Sequence, residues 1–265
     1  MRKWLAILLF CLGLGLIGYP AASNVVTRWR QQGVLVAYKN QLQTASARQL
    51  KALQGSLQQS SGNQEATVKD PFKKDGKQFV ETKPVALVAI PKIDVELPVF
   101  VGTSEKVLQK YAGLVHGTDI PQGEKDQHSL ITAHGGLPGA QLFTDLWRVD
   151  RGDRFYLKNA YGLMTYKVTS IRTVKAATRQ PISRSAAKNQ VTLMTCTPYM
   201  INTHRLLVTG QRIPNETETI PKGKFVWTRY KKVVLALAIL ALMAGAWVGY
   251  RRYRRKKGGK LNGNR

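Results

Sequence analysis

Hydrophobic and polar positions divide this chain into segments of different texture. Residues 4–27 carry no charge, are rich in Leu, Ile and Phe over their front half, and follow Arg2-Lys3 directly. Residues 28–60 place Val34, Leu35, Tyr38, Leu42, Leu50, Leu53 and Leu57 mostly three or four apart, with Gln, Lys and Arg between them, which predicts helix. Ser60-Ser61-Gly62-Asn63 breaks that pattern. Residues 64–83 are polar and lysine-rich, with turn signals at Asp70-Pro71-Phe72 and Asp75-Gly76, and read as a loop or lid.

From Pro84 the period shortens. Val85–Ile90, Val95–Phe100, His128–Thr132, Asp153–Leu157, Leu163–Thr169, Val191–Thr195 and His204–Thr209 are short runs rich in β-branched and aromatic residues and read as strands. Gly102, Gly117, Gly123, Gly135-Gly136, Asn159, Gly162 and Pro198 punctuate them. Many short strands at this spacing predict a mainly β fold, a closed or nearly closed barrel. Two short helices are expected within it, near Ser104–Tyr111 and from Gln141 to Trp147.

Val233–Tyr250 is a second uncharged run, long enough at about 1.5 Å per residue to match a bilayer's hydrocarbon core. Trp227, Tyr230, Trp247 and Tyr250 fit interfacial belts, and Arg251–Lys257 reads as a cytoplasmic cluster. The expected organisation is a signal or anchor segment at 1–27, a helical region and lid loop at 28–83, and a β-barrel domain at 84–215. A juxtamembrane linker at 216–232, a transmembrane helix at 233–250 and a basic cytoplasmic tail at 251–265 follow. The barrel would then lie outside the cell membrane, with both termini cytoplasmic if the first segment is uncleaved. Ala21-Ala22-Ser23 keeps cleavage open.

The net charge of +26, from 41 basic and 15 acidic residues, favours an anionic cell-wall or lipid surface. With no helix-turn-helix, zinc-finger or aromatic RNA-binding signature, nucleic acid is not an expected partner.

Two cysteines are present, Cys11 in the first apolar run and Cys196 at the end of a predicted strand. An exported, unpaired Cys196 invites oxidation, so its retention points to a use. A nucleophilic thiol needs a base or a nearby cation. Arg205, nine residues on, offers a permanent charge able to stabilise an oxyanion. For the base, His134 is favoured, because it ends the predicted strand Leu130–Ala133 before two glycines. His204, His116 and His128 remain alternatives. No His-x-x-x-His or Cys-x-x-Cys spacing suggests a metal, and no cofactor is expected.

The run Thr195-Cys196-Thr-Pro-Tyr-Met-Ile-Asn-Thr-His-Arg205-Leu-Leu-Val208 resembles the active-site signature of sortases, membrane-anchored cysteine transpeptidases of Gram-positive bacteria. Ile90–Pro98, Thr132-Ala-His134-Gly-Gly-Leu-Pro138 and Leu142–Leu146 extend the resemblance, which runs from about Val85 to Ile213. It implies an eight-stranded sortase-type barrel with His134, Cys196 and Arg205 as the catalytic set. The second apolar run and Asp70-Pro71-Phe72 resemble the class C, pilus-assembly members. That likeness implies a lid in which Asp70 pairs with Arg205 and Phe72 covers Cys196. It also implies pilin or surface-protein substrates with LPXTG-like sorting signals, a thioacyl-enzyme, and a pilin lysine as acceptor. A housekeeping sortase acting on a cell-wall precursor is the alternative. Gly135 and Met200 depart from the class pattern, the first usually larger and the second usually glycine.

Overall fold

The computed structural model describes residues 2–60, 67–72, 83–137, 139–176, 179–181, 188–221 and the positions 243, 245, 247, 250 and 251. In its first two dozen residues only scattered side chains are described. Residues 1–225 and 226–265 form two separate units.

The chain opens with α1 (Arg2–Thr44) and α2 (Ala47–Ser60). The break between them is a capping box: Gln49 N–H donates to Ser46 Oγ at 3.4 Å, and Ser46 N–H donates to Gln49 Oε1 at 2.8 Å. β1 (Thr67–Lys69) follows, then the strands β2 (Ala86–Ile90) and β3 (Val95–Val101). Next come α3 (Glu105–Leu108), β4 (Ala112–Leu114) and β5 (Gln127–Thr132). β6 (Arg154–Asn159), β7 (Gly162–Lys175), β8 (Arg179–Pro181), β9 (Asn189–Thr197) and β10 (His204–Ile213) complete the described unit. The helix expected from Gln141 is reduced to turns and a 3-10 segment at Leu146–Arg148.

Eight strands close into a barrel in the order β10-β7-β6-β2-β3-β4-β5-β9. β3–β4 and β5–β9 are parallel pairs, and the other barrel pairs are antiparallel. β1 and β8 form a separate two-stranded antiparallel ladder. Alternation along each strand sorts the side chains. Ile131, Val191, Leu193, Leu206 and Val208 belong to the main core with Phe155 and Tyr166. Leu130, Met194 and Leu207 fall on the opposite face and form a second cluster with Val115, against which Phe72 packs. That second cluster lies on the outer face of the barrel wall, the side from which Phe72 packs. At the β10 bulge, Gly210 is required because any Cβ would run into the Phe155 ring.

α1 docks along the barrel. Leu35 and Tyr38 pack against Leu87, Ala89 and Tyr156, while Arg28 pairs with Asp94 and Lys39 with Glu96. α2 is held by Gln54, which donates to Ala160 O at 3.1 Å and accepts from the Tyr161 hydroxyl at 3.2 Å. α1 is continuous across the boundary expected at residue 27. Among the described residues, no helix is long and apolar enough to cross a membrane. The 4–27 run makes the front of α1 with few of its side chains described, and most of 233–250 lies outside the described residues.

Leu35→Ala empties a fully buried site between α1 and the barrel and should cost about 2–5 kcal/mol, read as a lower urea midpoint with little change in slope.

Candidate active site

Cys196 and Arg205 are directly opposed in the β9–β10 ladder. Side chains opposite one another across a pair share a face, so the thiol and the guanidinium project together onto that outer face, beside Met194 and Leu207. The connection between them is tight. Ile201 and Asn202 N–H both donate to Pro198 O, at 3.2 and 3.0 Å, and the Thr197–Pro198 peptide is cis.

The guanidinium has its donors engaged on every nitrogen. Nη1 donates to Asn202 O at 2.9 Å and to His204 O at 3.0 Å. Nε donates to Asp70 Oδ1 at 3.1 Å and Nη2 to Asp70 Oδ2 at 2.8 Å. This is a two-pronged fork on a carboxylate, the geometry arginine matches best. Both partners are nearly sealed from water, Arg205 5% and Asp70 2% exposed. Asp70 Oδ1 also accepts from Phe72 N–H at 3.2 Å, which closes the Asp70-Pro71-Phe72 turn.

That turn delivers the Phe72 ring between two functional groups. Its centroid lies 5.3 Å from the His134 ring and 5.1 Å from Arg205 Cζ. The turn is reached through β1, whose Val68 pairs with Gln180 of β8.

His134 follows β5, which runs parallel to β9, so the end of β5 and the Cys196 end of β9 emerge at the same end of the barrel. Three bonds tie its position: Ala133 N–H to Met194 O at 3.2 Å, Thr195 Oγ1 to Ala133 O at 2.9 Å, and Phe143 N–H to His134 O at 3.0 Å. Gly135 lies so close to β9 that a Cβ would sit 2.7 Å from Thr195 Oγ1 and 3.1 Å from Cys196 O. Gly136 has φ +80° and lies beneath the Tyr199 ring. The two glycines therefore let the His134 turn close onto the strand that carries the thiol. Gly135 and Thr195 were not singled out from sequence as structural links. The only hint is the glycine pair itself.

The other histidines lie elsewhere. His128 begins β5, buried, with Nε2 2.8 Å from Thr192 Oγ1. His204 precedes Arg205 on β10, and its Nδ1 lies 2.9 Å from Thr203 Oγ1. His116 is exposed.

Burial pushes the Cys196 thiol up to about 11; Arg205 pulls it down, and Asp70 opposes that pull. Burial also lowers His134 from the ordinary imidazole range, with Glu105 opposing. In this arrangement burial favours the neutral form of both groups. The arrangement is a thiol, an imidazole and a guanidinium at one end of the barrel, with a carboxylate and an aromatic ring seated against the last two.

A sortase domain profile matches residues 88–213. Sortase C of Streptococcus pneumoniae superposes with a TM-score of 0.63 at 37% identity, covering 69% of this chain and 98% of that one. The pilus island 1 sortase C2 of group B Streptococcus gives a TM-score of 0.58 at 39% identity, covering 64% of this chain and 100% of that one. Among curated sequences, sortase A of Streptococcus agalactiae serotype III (strain NEM316) is 32% identical over 113 residues, 42% of this chain. The match spans 45% of that relative's length. The chain belongs to the sortase family of cysteine transpeptidases, and its structural neighbours are class C sortases.

Two outcomes follow from the geometry. Asp70→Ala removes the carboxylate that raises the Cys196 pKa and frees the ring that shields the site. Iodoacetamide should then modify Cys196 at least about tenfold faster at pH 7.5, with the rate-against-pH curve displaced to lower pH. An unchanged curve would count against the lid contact. Gly135→Ala forces the His134 turn off β9 and should cost about 1–3 kcal/mol, seen in urea unfolding together with reduced transpeptidation.

Proposed function

We propose that this sortase-family chain is a membrane-anchored class C transpeptidase that cleaves an LPXTG-like sorting signal and joins it to a pilin lysine. The observation that carries the reading is the Asp70-Pro71-Phe72 turn seated on Arg205 and His134 beside Cys196. Similarity to the pilus-related sortase C of group B Streptococcus supports the same class.

The chemistry begins with lid displacement, because the Asp70-Pro71-Phe72 turn occupies Arg205 and packs on His134, and burial favours the protonated thiol. With Asp70 withdrawn, Arg205 is left without its counter-charge, and the Cys196 proton passes to His134, leaving a thiolate and an imidazolium. The thiolate attacks the carbonyl carbon of the Thr–Gly peptide. Arg205 donates to the resulting oxyanion. As the intermediate collapses, the C–N bond breaks and the departing amine takes a proton from His134. The acyl group remains as a thioester on Cys196. A lysine amine then attacks that carbonyl, gives a proton to His134, and expels the Cys196 thiolate as the isopeptide forms. Water is the competing acceptor, and a covered apolar groove disfavours it.

The uncharged runs 4–27 and 233–250 and the basic cluster at 251–257 support membrane anchoring with the barrel outside the cell and the tail inside. The positive charge suits an anionic wall or lipid surface. Similarity to a sortase A favours a second reading, attachment of surface proteins to a cell-wall precursor.

Incubation of the purified chain with pilin-like proteins bearing LPXTG-like tails should yield ladders of covalent polymers, whereas the second reading yields single transfer products. Cys196→Ala should abolish both the products and the acyl-enzyme adduct seen by mass spectrometry. An adduct surviving that substitution would sink Cys196 as the nucleophile.

A further inference from the structure

Three large apolar side chains stand in water beside the candidate active site. Tyr199 is 59%, Met200 74% and Ile201 67% exposed, all in the turn between β9 and β10. The turn is not a loose one. It is bonded to Pro198 O through two backbone N–H groups, and Asn202 O accepts from Arg205. Met200 adopts φ +66°, a conformation in which glycine would cost least. A bulky apolar residue at a strained, solvent-facing position, flanked by two more, is a patch with something to cover it.

The neighbouring parts of the fold say what. The Tyr199 ring lies against Gly136, and Gly139 lies against Ser23 of α1, where a Cβ would meet Ser23 Oγ at 2.5 Å. Gly136 and Gly139 are three residues apart, so no more than about 11 Å of chain separates the two contacts. Among the described residues, Ser23 is the most N-terminal α1 side chain against the barrel. C-terminal to it, Arg28, Gln31, Leu35, Tyr38 and Lys39 each touch the barrel. N-terminal to it, Leu12 and Tyr19 are exposed. The uncharged stretch 4–22 therefore projects from the end of the barrel that carries the β9–β10 turn. Its length as helix is about 28 Å, one bilayer core.

We propose that the Tyr199-Met200-Ile201 turn seats in the interfacial layer of the lipid bilayer that α1 enters, so that Cys196 works at the membrane surface. This rests on the proposed anchoring through residues 4–27, which brings the bilayer to the level of Ser23. A tyrosine beside two aliphatic side chains suits that layer, apolar ends inward and hydroxyl in the headgroups.

The test uses the full chain in vesicles of phosphatidylglycerol and phosphatidylcholine with brominated acyl chains, which quench tryptophan at short range. Ile201→Trp adds a reporter at the turn. Lys125→Trp adds one at the exposed opposite end, where β5 begins. Emission is read as the increment over the unsubstituted chain. The expected result is loss of roughly half of the added emission for Ile201→Trp, at the depth of an interfacial segment, and almost none for Lys125→Trp. If the protein floats with the vesicles and the added emission at 201 is unquenched and open to aqueous acrylamide, the inference fails while the anchoring stands. If position 201 is shielded from acrylamide in a way that depends on protein concentration and not on bromolipid, a second copy covers the turn and the inference fails. If the chain does not float, both anchoring and inference fail.

Discussion

The buried fork between Asp70 and Arg205 is the interaction on which the rest of the site depends. With Arg205 only 5% exposed, its charge is costly to keep under the turn unless it is paired there. Its remaining donors reach the backbone of the β9–β10 turn, so the same side chain shapes the connection between the thiol strand and its own. Asp70 in turn fixes Phe72, and Phe72 fills the space between His134 and Arg205. A carboxylate and an aromatic ring thus sit on Arg205 and His134, beside a buried Cys196 thiol. For an unpaired thiol this is also protection: a protonated, buried sulfur is a poor target for oxidants.

Much of the barrel was legible because its strands alternate cleanly between core and outer face. The seven runs read from sequence all appear as strands, with ends displaced by a few residues. β4 was missed because Ala112-Gly113-Leu114 is too short and too poor in β-branched residues to register. β7 was read six residues short, since Ser170–Lys175 is held by pairing with β10 rather than by its own hydrophobicity. β1 and β8 are three residues each and exist through one another, a non-local fact that no window along the chain contains. Conversely, Gln141–Trp147 looked helical, but Leu142, Phe143 and Leu146 are buried on a turn that packs under the His134 loop.

At the site, residue types were legible and relationships were not. A thiol nine residues before an arginine suggests a hairpin, yet their direct opposition depends on a turn built with a cis proline peptide and two left-handed residues. The parallel run of β5 beside β9 brings the end of β5 to the thiol's end of the barrel, and only the closed sheet shows it. Gly135, noted from sequence as an oddity, has a steric cause: the backbone of β9 leaves no room for a side chain. Met200, the other oddity, has no such cause inside the fold, which is why its outward face draws notice.

Under the proposed function, the seated Asp70-Pro71-Phe72 turn changes what an affinity measurement means for this molecule. A peptide that needs the groove sees only the fraction of molecules whose Asp70-Pro71-Phe72 turn has left it, and its apparent dissociation constant is the intrinsic one divided by that fraction. Every ~1.4 kcal/mol by which closure is favoured weakens the observed binding tenfold with no contact to the peptide altered. Weak binding of a short sorting peptide would then report the strength of the Asp70 fork and the three-residue β1–β8 ladder rather than a poor fit. Among relatives with similar grooves, ranking by affinity would rank their lids.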